Sequence, residues 1–135
     1  MGLDLGSRTL GIATSDSLGW LASALTTLRF GEDDYETALA GLLPLVNEHK
    51  ISCIVLGFPK HMNGDVGIRG EISIKFKEMI EEKIDIPVIL WDERLSTVAA
   101  QKMIISQNVK KTKRKSLNDQ MAAVYILQGY LDSKK

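Results

Sequence analysis

Three carboxylates in this 135-residue chain stand where strands or helices should begin or end: Asp4, Glu93 and Asp119. Asp4 lies inside the apolar opening Gly2-Leu3-Asp4-Leu5-Gly6. A central strand is a costly place for a lone charge, because burying it without a partner costs several kcal/mol or forces neutralisation. If the chain brings the three acids together, they repel. Two like charges about 4 Å apart cost about 4 kcal/mol at an effective dielectric near 20. Such a cluster takes up protons or a divalent ion. Oxygen-only ligation suits Mg²⁺ or Mn²⁺, and one or two such ions can activate water and stabilise the leaving oxygen in phosphodiester cleavage.

Each acid also has a plainer reading. Asp4 fits a strand end that accepts turn hydrogen bonds. Glu93 fits an exposed pair with Arg94 or a nearby lysine. Asp119, three residues after Ser116, fits a helix capping box. Asp92 and Asp16 are further carboxylates expected beside the same edge, with strand-end hydrogen bonding as the alternative. His61 fits a phosphate contact, a proton shuttle or a solvated loop residue.

The elements that must position these acids follow from pattern. Apolar runs on either side of Gly6-Ser7-Arg8 predict a β-hairpin, with only three residues ahead of Asp4. A third strand is predicted over Ser23–Phe30. Gly31-Glu32-Asp33-Asp34 predicts a turn and an acidic helix start. Tyr35, Leu39, Leu42, Leu43 and Val46 then recur at helical spacing up to about His49, with Pro44 predicting a kink or an early stop. Ile51–Gly57 is a nearly continuous apolar run, as in a strand covered on both faces. It contains Cys53, the only cysteine, which reads as a small core residue in a reducing compartment. The loop after it, Phe58–Asp65, leaves the sheet edge where α/β proteins bind ligands. A second helix carries Ile68, Ile72, Phe76, Met79 and Ile80 on one face. Val88–Trp91 predicts a strand that delivers Asp92-Glu93-Arg94. Ser96 is a candidate N-cap for a third helix with Val98, Ala99, Met103 and Ile104 or Ile105 inward. A basic loop, Asn108–Lys115, interrupts it, and a last helix runs from about Leu117 to Leu131, with Leu117, Met121, Val124, Leu127 and Leu131 inside. The expectation is one α/β domain over residues 1–135, a hairpin-led mixed sheet with helices on both faces.

Net charge is zero, yet residues 1–100 carry 9 basic and 15 acidic side chains while residues 101–135 carry 8 and 2. Five of the six residues from Lys110 to Lys115 are basic. That density fits a solvated surface or contact with a nucleic-acid backbone. No apolar run approaches the roughly 20 residues needed to span a bilayer, and no basic-then-apolar leader opens the chain. The expectation is a cytoplasmic protein with no membrane partner, monomeric or homodimeric.

Gly2-Leu3-Asp4-Leu5-Gly6-Ser7-Arg8 with Gly11-Ile12-Ala13, Gly57-Phe58-Pro59 with Asn63-Gly64, Asp92-Glu93-Arg94-Leu95-Ser96-Thr97, and Asp119-Gln120-Met121-Ala122-Ala123 with Ile126–Leu131 occur in that order. Together they resemble the YqgF (RuvX-like) family of the ribonuclease H-like superfamily, over nearly the whole chain. The opening motif alone is unspecific; the Asp-Glu-Arg-Leu-Ser-Thr and Asp-x-x-Ala-Ala blocks are specific. The resemblance implies a mixed five-stranded sheet and a metal-dependent nuclease. Family members have been called Holliday-junction resolvases and are now more often assigned to maturing the 5′ end of small-subunit ribosomal RNA. By position the family's acids fall on Asp4, Glu93 and Asp119, which serve as both catalytic residues and Mg²⁺ or Mn²⁺ ligands. Its basic residue after the first glycine falls on Arg8. Lys60 and His61 depart from the more apolar-polar pair common in the family loop.

The leading expectation is thus a phosphodiesterase on structured RNA, precursor ribosomal RNA above all. Arg8, Asn63, Arg94, Lys110, Lys111, Lys113, Arg114 and Lys115 would touch the nucleic acid, holding phosphates rather than reading bases. A nuclease of branched DNA uses the same chemistry on another substrate. A catalytically silent RNA-binding module in ribosome assembly or transcription is the alternative from another class. An actin-like ATPase shares the opening Asp-x-Gly hairpin but needs a second, similar domain for which 135 residues leave no room.

Overall fold

The structure, a computed structural model, describes residues 1–59, 67–93 and 111–134, with the backbone alone for 111–120. Strands β1 (Gly2–Leu5) and β2 (Thr9–Ser15) form the opening hairpin, paired from Gly2↔Ala13 to Leu5↔Leu10. The Gly6 amide closes the turn on the Thr9 carbonyl at 2.7 Å. Strand β3 (Ala22–Arg29) continues the antiparallel meander, with a register shift at Ile12/Ala13. Helix α1 (Tyr35–Glu48) starts at Asp34, whose carboxylate accepts from the Thr37 amide and hydroxyl, as an N-cap should. Strand β4 (Ile54–Phe58), helix α2 (Ile68–Lys83) and strand β5 (Val88–Asp92) follow, and helix α3 (Lys111–Ser133) comes last. The sheet order is β3-β2-β1-β4-β5, with β1, β4 and β5 parallel. This is the expected five-stranded mixed sheet.

Strand alternation divides the interior in two. Leu3, Leu10, Ile12, Ile54 and Leu56 pack against Leu39, Leu42 and Val46 of α1 and Phe76 and Ile80 of α2. Ala13 and Val55 face the other way, onto Ala123, Val124, Ile126 and Leu127 of α3. That second layer is tight. A Cβ on Gly2 would lie 2.6 Å from the Leu127 Cβ and 2.7 Å from the Ala123 carbonyl oxygen, so α3 seats its backbone almost on β1. Parallel strands end at a common edge, and the carboxyl ends of β1, β4 and β5 therefore converge.

Three local expectations are corrected, and of the two outcomes expected of Pro44, a kink or an early stop, the early stop does not occur. Helix α1 runs through Pro44 to Glu48 without an early stop. Pro44 is on the solvent face, while Leu42 and Val46 on either side are held in the core. β4 begins at Ile54 rather than Ile51, and Cys53 is half-buried just ahead of it. Ile68 is 77% exposed. The buried stripe of α2 is Gly70, Ser73, Phe76 and Ile80, and stepping back in fours from Phe76 to Ile68 drifts by about 80° around a helix of 3.6 residues per turn. Finally, Lys111–Lys115 belong to α3 rather than to a loop; lysine and arginine are good helix formers, and the run holds no glycine or proline. The expected helix from Ser96 lies outside the described residues. Among the described residues no helix is long and apolar enough to cross a membrane.

Candidate active site

Asp4 sits mid-sheet on the face covered by α3, since its neighbours Leu3 and Leu5 point to the opposite layer. Its cross-strand partner on β2 is Gly11. On the other side, one step beyond the Leu3↔Leu56 pair, stands Gly57 of β4. With bare backbone on both flanks, the sheet has a hollow around the Asp4 carboxylate. Glu93 follows β5 directly and fills part of it. A Cβ on Gly57 would lie 2.5 Å from Glu93 Oε1 and 2.5 Å from Ile126 Cδ1, closer than real contacts permit. The glycine lets the glutamate cross β4 toward Asp4.

The two acids meet. Their carboxyls stand close enough for a hydrogen bond once one of them is protonated. Burial chiefly, then the charge and hydrogen bond of Asp4, then the charge of Asp92, push the Glu93 carboxyl up to about 7, against an opposing pull from Arg69. Near neutral pH the pair therefore holds a proton more readily than separate carboxylates would. An open cleft of about 350 Å³ lies over it, lined by Asp4, Gly6, Ser7, Pro59, Arg69 and Glu93.

Arg69 was not anticipated from the sequence. It enters from the first turn of α2, on the opposite side of the sheet, and its Nη2 donates to the Leu5 carbonyl at 3.0 Å. Its Nη1 lies 3.4 Å from the Tyr35 hydroxyl, which itself donates to Asp33 at 2.9 Å. The available cue was spacing: Arg69, Ser73, Phe76 and Ile80 recur at intervals of four, three and four, so a cation occupies the stripe that otherwise enters the core.

The remaining expected residues are placed as follows. Arg8 is exposed at the hairpin turn, 3.4 Å from Glu32, and is not among the residues lining the cleft. Asp16 is not beside the same edge. β2 runs antiparallel to β1, so its end lies at the opposite rim, where Asp16 accepts from the Trp20 and Leu21 amides at 2.7 and 3.3 Å. Asp119 belongs to α3, about two turns before Ile126. Its side chain lies outside the described residues, as do those of Lys111, Lys113, Arg114 and Lys115. His61, Asn63, Arg94 and Lys110 also lie outside them. Among the described residues no group of three or more histidine, cysteine or acidic side chains could hold a metal; Asp4 and Glu93 supply two oxygen-donor groups.

The family model for RuvX, described as Holliday junction resolvase, matches residues 1–133. The chain belongs to the RuvX family. A RuvX relative from Bacillus licheniformis is 56% identical over 133 residues, 98% of this chain and 96% of its own length. One from Bacillus subtilis is 52% identical over 133 residues with the same coverage. Both carry the name "Putative pre-16S rRNA nuclease". Among solved structures, Thermus thermophilus RuvC in complex with a Holliday junction substrate superposes with a TM-score of 0.66, covering 98% of this chain and 92% of that one at 11% identity. At that identity the likeness is one of fold, and the fold is ribonuclease H-like.

Proposed function

We propose that this chain is a metal-dependent nuclease that hydrolyses phosphodiester bonds of structured nucleic acid, and that its substrate is the 5′ region of pre-16S ribosomal RNA. The observation that carries the reading is the half-buried Asp4–Glu93 pair at the carboxyl edge of the sheet, given its space by Gly57. Two carboxyls forced to share a proton are a site that a hard cation would relieve. The residue types fit Mg²⁺ or Mn²⁺, since every donor is oxygen. Asp4 and Glu93, with Asp119 as the third acid, would hold one or two such ions. When bound, the ion supplies charge neutralisation and water activation for displacement at phosphorus.

The chain's own groups have simpler tasks. Asp4 and Glu93 hold their oxygens at one rim of the cleft, and a cation bound there would take the place of any proton they share. Arg8, Asn63, Arg94 and the basic run Lys110, Lys111, Lys113, Arg114 and Lys115 contact backbone phosphates, which position a strand without reading it. The relatives' name favours pre-16S rRNA, found in the cytoplasm, and residues 1–135 are read as one nuclease domain. The family description favours a second substrate, branched DNA, cut by the same chemistry.

The test is cleavage of a 5′-extended 16S rRNA precursor and of a four-way DNA junction, side by side in Mg²⁺ or Mn²⁺, by wild type, Asp4→Asn and Glu93→Gln. Both variants should lose at least a hundredfold in rate on whichever substrate the wild type cuts, with unchanged circular dichroism. Full activity in both variants would refute the site.

A further inference from the structure

The geometry points to Arg69 as a seat for a backbone phosphate of the substrate, directly beside the acid pair; this rests on the nuclease reading above. The inference begins with what holds the guanidinium. Its partners are two neutral oxygens, the Leu5 carbonyl and the Tyr35 hydroxyl. These neutral groups fix its orientation, and its charge is felt at the Glu93 carboxyl beside it. The two contacts occupy two of its five N–H donors. The others belong to a side chain that lines the same cleft as Asp4 and Glu93.

That cleft needs such a group. The acids give it negative charge, and a nucleic-acid strand is a polyanion. A cation held by the carboxylates offsets part of the repulsion. The phosphate that lies along the cleft also needs a donor, and a guanidinium fork matches two phosphate oxygens better than an ammonium does. Arg8, the arginine that the opening motif offers for this purpose, is exposed and faces Glu32. Arg69 reaches the cleft from the face of the sheet opposite the layer that α3 covers.

A purely structural clip, tying α2 to β1 through the Leu5 carbonyl, would place the same atoms in the same positions. Salt separates the two roles. Losing one phosphate contact lowers the slope of log K against log salt by about 0.7 for single strands and about 0.9 for duplex DNA, whereas a structural defect lowers affinity and leaves the slope alone. Binding of the full chain to the rRNA precursor fragment and to the four-way junction is measured by fluorescence anisotropy across a salt series. A chelator is present throughout, so binding is read without cleavage. Arg69→Gln should lose about tenfold in affinity and one contact's worth of slope. Arg69→Met, which keeps the stem and deletes the donors, should do the same. Arg69→Lys should restore the slope but not all of the affinity. Tyr35→Phe, which removes an anchor and leaves the charge, should keep the wild-type slope. Binding by every protein with an unchanged slope in the Gln and Met variants would overturn the phosphate seat and leave the nuclease reading intact. Failure of the wild type to bind either probe, in chelator and again with Ca²⁺ supplied in its place, would overturn both.

Discussion

Without metal, the folded protein should lose stability as pH rises from about 5 to about 8, and Glu93→Gln should abolish most of that loss. The folded-state carboxyl of Glu93 is held at about 7, against 4.5 for an unperturbed glutamate. Between those values the folded state retains a proton that the unfolded chain has released, so rising pH favours unfolding. The stabilisation is complete below 4.5 and is lost as pH passes 7. At 1.36 kcal/mol per unit the displacement corresponds to about 3 kcal/mol. Glu93 keeps some contact with solvent, which screens the interaction, and the expected loss is about 1–2 kcal/mol. A glutamine has the shape of the protonated acid, carries no charge and can still donate to Asp4. Urea unfolding of both proteins in chelator at pH 5, 6, 7 and 8 reads the difference, because titrating groups that do not interact with position 93 cancel. The variant should match the wild type at pH 5 and exceed it by about 1–2 kcal/mol at pH 8. Saturating Mn²⁺ should stabilise the wild type at pH 8 and not the variant. Parallel curves, with the same difference at both ends of the range, would show that the two acids do not share a proton and would remove the physical basis of the site.

Gly57→Ala places a methyl group 2.5 Å from both Glu93 Oε1 and Ile126 Cδ1. Overpacking of this kind costs about 1–3 kcal/mol. Cleavage should fall more than tenfold in protein that retains native circular dichroism, as measured by initial rates on the substrate the wild type cuts. Asp34→Ala removes the cap of α1 and should lower the unfolding free energy by about 1 kcal/mol in urea, with the cleavage rate unchanged. Asp119→Asn should slow cleavage to the level of Asp4→Asn while leaving the urea midpoint within error of the wild type. Chelation should end cleavage, and added Mg²⁺ or Mn²⁺ should restore it, with the far-ultraviolet spectrum constant throughout.

The strands were legible because each is a short apolar run bounded by turn residues, and the pairing of Asp4 with Glu93 followed from one oddity, a carboxylate inside a central strand. That argument needed only the common edge of parallel strands, which β1, β4 and β5 provide. Arg69 was hidden by its neighbours. A lone arginine in a first helical turn is unremarkable until Ser73, Phe76 and Ile80 define the buried stripe, and the apolar Ile68 drew the stripe one position away from it. Gly57 read as the end of a strand. The room it leaves for Glu93 depends on a residue from another strand, so no local pattern records it. The basic run was assigned to a loop because charge density suggested solvation. Like-charge repulsion in a helix costs only tenths of a kcal/mol per pair, less than the packing of Ala123, Val124, Ile126 and Leu127 supplies further along α3.

The order of the acids along the chain has a consequence for biosynthesis. Asp4 lies in β1, Glu93 follows β5, and position 119 belongs to α3, later in the chain than either. A ribosome emits these pieces in that sequence, and α3 can dock on β1 only after the whole sheet has emerged. On the proposed reading, a partly synthesised chain bears a hairpin with one acid and no cutting centre. An enzyme that trims ribosomal RNA would thus be harmless to the machine that is translating it until α3 settles.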